Sequence, residues 1–447
     1  MYLSPILWFE IGTAIVTGIG VLWAKPEYGL FLYALALGFP DFAVPLGTTT
    51  HLRLDDVLLV PFLLRAVLWS PAPLSRSQRS IFKWQSIFLA ACIFSIAVET
   101  AQGSPPEAYN AAKMAGCTAI VVVISRVVQS EKRLRFFVAG LMCAGIALEI
   151  QVRQHLDANP SSESLNFQQL KSAATFTTWN PNTIGDAAIL LVFAAGLGWI
   201  IYSETLAGRI LWPSLGVGFA AVPAFLFVRG SSLSIAAGFT MFLCLLRRWK
   251  SLLLFAAVCL CTVLYLYTLD RERFEGAATL NVATGEGFSE RFNRWDMAVR
   301  AIQAKPLIGQ GFGQELPYLT QIGSEGVAHD DYLTVWLEMG LGGLLLFLAT
   351  IFQFIRAGWL LYRKLQFQRQ GALILAVTFA LCLDSLALPT LYWEKLSTIA
   401  LSLAAALVGV CERDDLEAAA DGVPAAAREP FEQLSSANPR SLEQVRF

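Results

Sequence analysis

Long apolar runs recur along almost the whole chain, and they limit the folds that it can adopt. Each run has about 17–23 residues, long enough for a helix to cross roughly 30 Å of hydrocarbon. Because lipid cannot satisfy backbone N–H and C=O groups, such segments form helices or closed barrels. The pattern predicts helical spans near residues 5–23, 28–46, 54–70, 84–100, 113–128, 134–150, 183–203, 209–228, 230–246, 251–269, 332–355, 372–391 and 394–411.

The sequence therefore predicts an all-α polytopic integral membrane protein with about twelve or thirteen transmembrane helices. Two spans are interrupted, the first by Glu10 and the second by Pro40-Asp41. The membrane domain is expected to cover residues 1–411 and to include one long loop, 270–331, that contains short helices. Residues 412–447 are rich in Ala, Glu and Pro, which is typical of a disordered cytoplasmic tail.

Composition excludes several classes of protein. Charged residues make up 15% of the chain, whereas soluble proteins carry about 25%. The net charge of −1 provides no basic field that would attract nucleic acid. All eight cysteines lie inside or at the end of predicted spans, so we expect neither a disulfide framework nor a zinc site, and no cofactor. The amino terminus lacks the positively charged region of a signal peptide, so we expect the first span to be retained.

The distribution of Lys and Arg predicts the orientation in the membrane. Four loops are rich in these residues, and cytoplasmic loops carry such an excess. The alternation then places 151–182 and 270–331 outside; thirteen spans would put the amino terminus outside and the carboxyl terminus inside. The basic loops that we expect on the cytoplasmic side are Arg65–Lys83, Arg126–Arg135, Arg247–Lys250 and Arg356–Arg369.

The middle of the long loop, Glu290–Lys305, has helical periodicity and combines an apolar stripe with arginines. Such a helix could rest on the membrane as a cover, with its arginines reaching to the interface. It could instead form a phosphate clamp, because planar guanidinium groups bind oxyanions in a bidentate manner. The stripe is Phe292, Trp295, Val299 and Ile302, and the arginines are Arg291, Arg294 and Arg300.

Two further features lie near the same boundary. Arg229 falls between two spans, where a charged residue is costly, so it is either a functional group or an interface anchor. Gly309-x-Gly311-x-Gly313 follows no strand, so we interpret it as a flexible turn and not as a nucleotide-binding motif.

His329-Asp330-Asp331, where the long loop re-enters the membrane, leaves three alternatives open. It could be a local turn or helix cap. It could be a divalent-metal site built from one imidazole and two carboxylates, although the long loop 270–331 contains no further histidine. It could also be a general base, because an imidazole takes up a proton near neutral pH and a nearby carboxylate raises its pKa.

Three residues of the following span support the site. Gly340 and Gly343 form a small-residue face that would let a neighbouring span approach closely. Glu338 lies about one turn into the span, where an ionisable group indicates function or a buried pair.

In this order, Arg229, Arg291-x-x-x-Trp295 and His329-Asp330-x9-Gly340-x-x-Gly343 resemble the bacterial O-antigen ligase and O-antigen polymerase superfamily. That family has an Arg-x3-Leu element in its large periplasmic loop and a His-(Asn/Ser/Gln)-x9-Gly-x-x-Gly element at the loop's end. The segments Pro306–Gly311 and Trp179–Asn182 are also similar to family segments, and the resemblance covers roughly 175–350. Asp330 and Trp295 depart from the family pattern.

The resemblance implies twelve spans with both ends cytoplasmic, a GT-C-like fold and a metal-independent, inverting glycosyl transfer. The donor would be a glycan on undecaprenyl diphosphate. Arg229 and Arg291, with Arg294, would stabilise the diphosphate, and His329 would act as general base, with Asp330, Glu338, Gly340 and Gly343 in support.

The acceptor stays open at this point. A ligase transfers the glycan to lipid A-core, a polymerase to another lipid-linked repeat, and a protein-directed enzyme to a Ser or Thr. A secondary transporter, with Arg229, Glu338 and Asp384 along a substrate path, is an alternative from another class. The absence of a visible repeat and the long external loop count against it.

Overall fold

Helices dominate the protein, and they agree with most of the predicted spans. A computed structural model describes residues 18–19, 25–38, 43–45, 51–53, 58–62, 64–65, 73–101, 108–157, 181–225, 228–269, 288–324, 326–386, 391 and 395–420. The helices in these ranges are α1 (Pro26–Ala36), α2 (Arg76–Ala101), α3 (Ala108–Val127), α4 (Glu131–Asp157), α5 (Pro181–Tyr202), α6 (Leu206–Phe225), α7 (Arg229–Leu245), α8 (Trp249–Leu269), α9 (Phe288–Ala304), α10 (Glu315–Gln321), α11 (Asp331–Tyr362), α12 (Gln368–Asp384) and α13 (Lys395–Ala420).

The described residues include five helices that are long and apolar enough to cross a membrane, namely α2, α5, α6, α11 and α13. Two shorter apolar helices, α7 and α8, lie beside them. α13 is buried along almost its whole length, whereas α2 and α6 expose most of their apolar surface. Water would not tolerate that much exposed apolar surface, but hydrocarbon does. The chain is an all-α polytopic membrane protein, as predicted.

The amino-terminal region departs from the prediction. The span proposed at 28–46 is wrong as a continuous helix, because α1 has 11 residues and ends at Ala36. Eleven residues rise only about 16 Å, roughly half the hydrocarbon thickness. A helix usually ends before the residue that precedes a proline, and Pro40 follows closely. The two-stranded antiparallel sheet β1 (Ala43–Pro45) and β2 (His51–Arg53) comes next.

The span predicted at 5–23 lies almost wholly outside the described residues. At the other terminus, α13 continues to Ala420, beyond the predicted start of the tail at 412. Its last turns pack on the bundle: the Glu412 carboxylate accepts a hydrogen bond from the Ser77 N–H at 3.3 Å. An Arg413 guanidinium nitrogen also donates to the Val128 carbonyl at 3.2 Å. The boundary at 411 is therefore wrong for these residues, and 421–447 lie outside the described part of the chain.

The four basic loops meet at one end of the bundle. Two of them, Arg65–Lys83 and Arg126–Arg135, reach the end of α13 through the contacts of Glu412 and Arg413. A third joins them because the Lys364 ammonium pairs with the Asp415 carboxylate at 2.9 Å. The Tyr362 hydroxyl donates to the Leu245 carbonyl at 2.7 Å, which brings in the α7–α8 turn. This common end agrees with the predicted alternation of loops.

Candidate functional site

The site lies at the other end of α11, and its most unusual feature is the backbone of His329. This residue has φ 54°, in the left-handed region. Among the described residues that are not glycine, Arg247 alone shares a positive φ with it. Histidine tolerates this region better than most residues, but the conformation is strained and persists only where neighbours fix it. His329 therefore occupies a position that its surroundings hold in place.

Asp330 caps α11. Its carboxylate accepts a hydrogen bond from the Leu333 N–H at 2.8 Å, and its side chain is buried. Burial raises the pKa of this carboxyl above its usual value, although hydrogen bonds from the backbone oppose the shift. Aspartate, asparagine and serine all cap helices well. The cap alternative is thus confirmed for Asp330.

Asp331 joins α11 to the segment after α12. Its backbone N–H donates to the Ser385 carbonyl at 3.0 Å, and its carboxylate accepts from the Leu391 N–H at 2.6 Å. Both acidic residues of the metal alternative therefore serve backbone groups. Within the described residues, no group of three or more His, Cys, Asp or Glu side chains is arranged to hold a metal ion.

Glu315 is the residue that the sequence interpretation missed. One oxygen of its buried carboxylate accepts from the Ala328 N–H at 2.7 Å, and the other accepts from the Thr334 hydroxyl at 3.1 Å. These two partners lie on either side of His329 along the chain. Burial raises the pKa of Glu315, which makes its charged form costly. Nothing in the surrounding sequence marks this glutamate, because the contacts that define it are distant in the chain.

Gly340 breaks α11. Its φ and ψ are 66° and −170°, a conformation that only glycine readily adopts. The break frees carbonyl groups: the Gln310 N–H donates to Leu337 at 2.7 Å, and the Gly311 N–H donates to Glu338 at 2.8 Å. The segment Pro306–Gly313 therefore packs directly on the break.

This packing corrects the interpretation of two glycine motifs. A Cβ added to Gly340 would lie 2.2 Å from the Leu307 carbonyl oxygen, and one added to Gly309 would lie 2.3 Å from that of Glu338. A neighbouring span was predicted to approach Gly340, but a loop lies against it instead. Gly343 is buried on its own helix, where an added Cβ would lie 2.1 Å from the Met339 Cβ. The turn at 309–313 is confirmed, and backbone hydrogen bonds hold it in position.

Glu338 lies within this arrangement. Its side chain is 1% exposed, and one carboxylate oxygen accepts the Glu315 N–H at 3.2 Å. This contact places Glu338 against the backbone of a neighbouring segment, and its two predicted roles, function or a buried pair, stay predictions. Glu338 supports the segment that carries Glu315, and so the surroundings of His329.

The predicted loop helix is confirmed as α9, but a different face of it is buried. Ala298, Ala301 and Ile302 pack on α10 and the outer part of α11, whereas Phe292 and Val299 are exposed. The periodicity was correct, but small alanines form much of the contact.

Two residues of α9 hold the chain just before His329. The Trp295 ring N–H donates to the Ala328 carbonyl at 2.9 Å. A Cβ added to Gly326 would lie 3.1 Å from the Arg294 guanidinium carbon, so Arg294 rests on this loop. Arg291 is half-buried, one turn earlier on the helix.

The remaining arginines occupy different positions. Arg300 is exposed and pairs with Asp296 at 2.6 Å. Arg229 begins α7, and its side chain lies outside the described part of the chain. Asp384, named in the transporter alternative, is fully buried and accepts from the Ser234 hydroxyl at 3.3 Å.

Residues 217–348 match the family model described as O-Antigen ligase. Over this segment the chain is similar to the O-antigen ligase and polymerase superfamily. The matching segment runs from α6 into α11 and contains His329, Glu315 and all of the predicted arginines. Asp331 lies inside the matching segment. Its two partners, Ser385 and Leu391, lie outside it. No curated protein matches this chain.

Proposed function

We propose that this protein is a metal-independent, inverting membrane glycosyltransferase. It transfers a glycan from undecaprenyl diphosphate to an acceptor hydroxyl at the periplasmic face of the bacterial inner membrane. The single observation that carries the proposal is the fixed, left-handed His329 at the outer end of α11, beside the arginine-bearing helix α9. The match of residues 217–348 to the O-antigen ligase family model supports the same chemistry.

His329 acts as the general base. Its side chain is half-buried, and the mechanism requires that an acceptor hydroxyl reach the imidazole. The hydroxyl oxygen forms a bond to the anomeric carbon while the imidazole takes up its proton. The bond between the anomeric carbon and the diphosphate oxygen breaks on the opposite face, and the lipid diphosphate leaves with the electron pair. The configuration at the anomeric carbon is inverted.

The arginines stabilise the leaving diphosphate. Arg291 and Arg294 lie one helical turn apart on α9, and Arg294 rests on the loop that leads to His329. Arg229 is the first residue of α7, where the unpaired N–H groups of a helix start also favour an anion. Fixed positive groups aimed at developing charge are a large source of rate acceleration. They replace a metal ion in this mechanism, so transfer should persist in excess EDTA.

We favour a ligase that uses lipid A-core as acceptor over a polymerase that extends a lipid-linked repeat. The reason is the complete His-x10-Gly-x-x-Gly spacing from His329 to Gly343, which is better marked in ligases. A deletion strain separates the two activities on a gel of surface glycans. Loss of a ligase leaves lipid A-core bare and accumulates long undecaprenyl-linked polymer, whereas loss of a polymerase leaves at most a single repeat on the core.

The test of the base is a pair of substitutions at one position. His329→Asn removes the imidazole but keeps a side chain that tolerates the left-handed region. His329→Gly removes the side chain and the backbone strain together. We expect both variants to insert and purify normally and to lose transfer by roughly 10²–10⁴-fold. Near-normal transfer by His329→Asn at matched expression would remove the general-base role.

A further inference from the structure

A large apolar cavity lies between α5, α6, α7, α8 and α12, and neither His329 nor any described residue of α9 or α11 lines it. Its volume is about 360 Å³, within the range of pockets that bind small molecules. Apolar side chains supply nearly all of its surface, and Ser251 is the one hydroxyl in the lining. Its wall includes Trp199, Trp212, Ala220, Phe239 and Phe255.

The cavity is displaced toward the α7–α8 turn. The lining residues of α7 run from Ile235 to Leu243, and those of α8 are Ser251 and Phe255, near the start of that helix. The beginning of α7 at Arg229 takes no part. The cavity therefore belongs to the half of the membrane that faces the basic loops, opposite the candidate site.

Three cationic side chains lie at this end of the cavity. Arg247, Arg248 and Lys250 are exposed in the turn that joins α7 to α8, with the exposed ring of Trp249 among them. None of the three forms an ion pair with another residue in the part of the chain that the structure describes. Clusters of Lys and Arg beside a membrane span attract anionic lipid headgroups. Indole rings favour the same depth.

We propose that the cavity binds an acyl chain of an anionic glycerophospholipid whose phosphate lies against Arg247, Arg248 and Lys250. The apolar lining matches the acyl chain, and the three cations beside it match the phosphate. This lipid belongs to the leaflet that contains the α7–α8 turn. An undecaprenyl diphosphate bound at His329 would carry its charge at the opposite end of α7, so its headgroup would not meet these three cations.

The arrangement gives the lipid a structural task. α8 packs chiefly on α7, and most of its residues are exposed. One edge of the contact is the ring pair Phe239–Phe255, with centroids 4.7 Å apart beside the cavity. A bound acyl chain fills the gap between α6 and α8 and holds α8 to the bundle.

The test measures binding of phosphatidylglycerol, with palmitoyl and oleoyl chains, to the full-length protein in detergent by native mass spectrometry. The triple substitution Arg247→Gln, Arg248→Gln, Lys250→Gln should weaken binding by about tenfold or more, since each basic residue at an anionic surface contributes about a factor of five. A matched control, Arg76→Gln, Arg79→Gln, Lys83→Gln, removes three exposed charges from another basic loop and should bind like the wild type.

A second pair of variants tests the cavity itself. Ala220→Phe puts a ring into the lining, whereas Ala257→Phe adds the same ring to an exposed position of α8 outside it. Only Ala220→Phe should lose the lipid. Equal binding by the Gln triple variant, equal binding by Ala220→Phe, or equal affinity for phosphatidylcholine would overturn the proposal. Displacement of phosphatidylglycerol by undecaprenyl phosphate would also overturn it, because the cavity would then hold the carrier's tail.

Discussion

The two halves of α11, on either side of Gly340, are built by different rules. The outer half, 331–339, buries Asp331, Thr334 and Glu338, and each of them bonds to a distant segment. The inner half, 341–362, alternates buried and exposed apolar residues and makes few such bonds. A single helix thus passes from a part that hydrogen bonds to distant segments hold in place to a part that is stabilised chiefly by apolar packing.

The difference shows where the site obtains its rigidity. Apolar packing is non-directional, so the inner half tolerates many sequences that keep the pattern. Buried polar groups cost free energy unless every partner is in place. The outer half therefore forms only together with the segments at 306–328 and 385–391, and this mutual dependence fixes the backbone at His329.

The largest expected effect is that of Gly340→Ala, which attacks the boundary between the halves. Alanine cannot easily adopt φ 66°, ψ −170°, and its Cβ would lie 2.2 Å from the Leu307 carbonyl oxygen. We expect a loss of about 3 kcal/mol or more in the free energy of unfolding, with loss of glycan transfer. The measurement is the thermal midpoint in detergent together with the transfer rate.

Gly342→Ala is the control, because Gly342 is exposed and has no atom within 4 Å of an added Cβ. It should be neutral, or more stable by up to about 1 kcal/mol, through better helix propensity. If the two variants behave alike, Gly340 does not separate two differently built halves.

The second prediction concerns the arginines of α9, the helix that packs against the outer half. Arg291→Lys and Arg294→Lys should each lower transfer by about 10²–10³-fold, since an ammonium cannot reproduce the bidentate geometry at a diphosphate. Arg300→Lys, on the exposed side of the same helix and paired with Asp296, should change it little. Equal losses at all three positions would indicate a cover helix that needs its overall charge, and not a clamp.

These contrasts also explain what the sequence could predict. Most of the spans, α9 and the start of α11 follow from the 3.6-residue period and from the length of the apolar runs. The failure at 28–46 arose because an apolar composition continued past the end of a helix that stops at Ala36. The composition of 412–420 predicted a tail. Composition does not reveal that charged residues of this segment bond to residues elsewhere in the bundle.

The sequence could predict individual residues of the site but not the contacts between them. His329 and Gly340 are marked by rarity and by spacing, so both could be found. Glu315 could not, because its role depends on bonds to Ala328 and Thr334 that only the folded chain brings together. The φ of His329 likewise depends on those neighbours.

The third prediction tests Glu315 as a positioning residue. Glu315→Ala leaves the buried Ala328 N–H without its acceptor, which should cost about 1–3 kcal/mol and lower kcat by displacing His329. Glu315→Gln keeps an acceptor for Ala328 and a partner for Thr334, so it should restore transfer. An activity that Gln does not rescue would contradict a positioning role and point to the charge itself.

The pH dependence of stability gives an independent measure. Burial raises the pKa of Glu315 in the folded state, so the folded protein binds this proton more tightly than the unfolded chain. Its contribution is complete below the usual glutamate pKa of about 4.3 and is lost as pH rises through the folded value. As pH rises through this range, we expect the thermal midpoint of the wild type to fall relative to that of Glu315→Gln. Parallel curves for the two proteins would contradict the assignment.

The smallest expected effect is at Asp330, where the question is whether the carboxylate caps the helix or tunes the base. Asparagine caps a helix as well as aspartate does, so Asp330→Asn should leave the stability and the transfer rate nearly unchanged. Asp330→Ala should lose about 1 kcal/mol of stability, because the Leu333 N–H loses its acceptor. The deciding measurement is the acidic limb of the pH–rate profile, which reports the pKa of the base. If Asp330→Asn moves that limb to lower pH, the carboxylate acts on His329, and capping alone does not account for the aspartate.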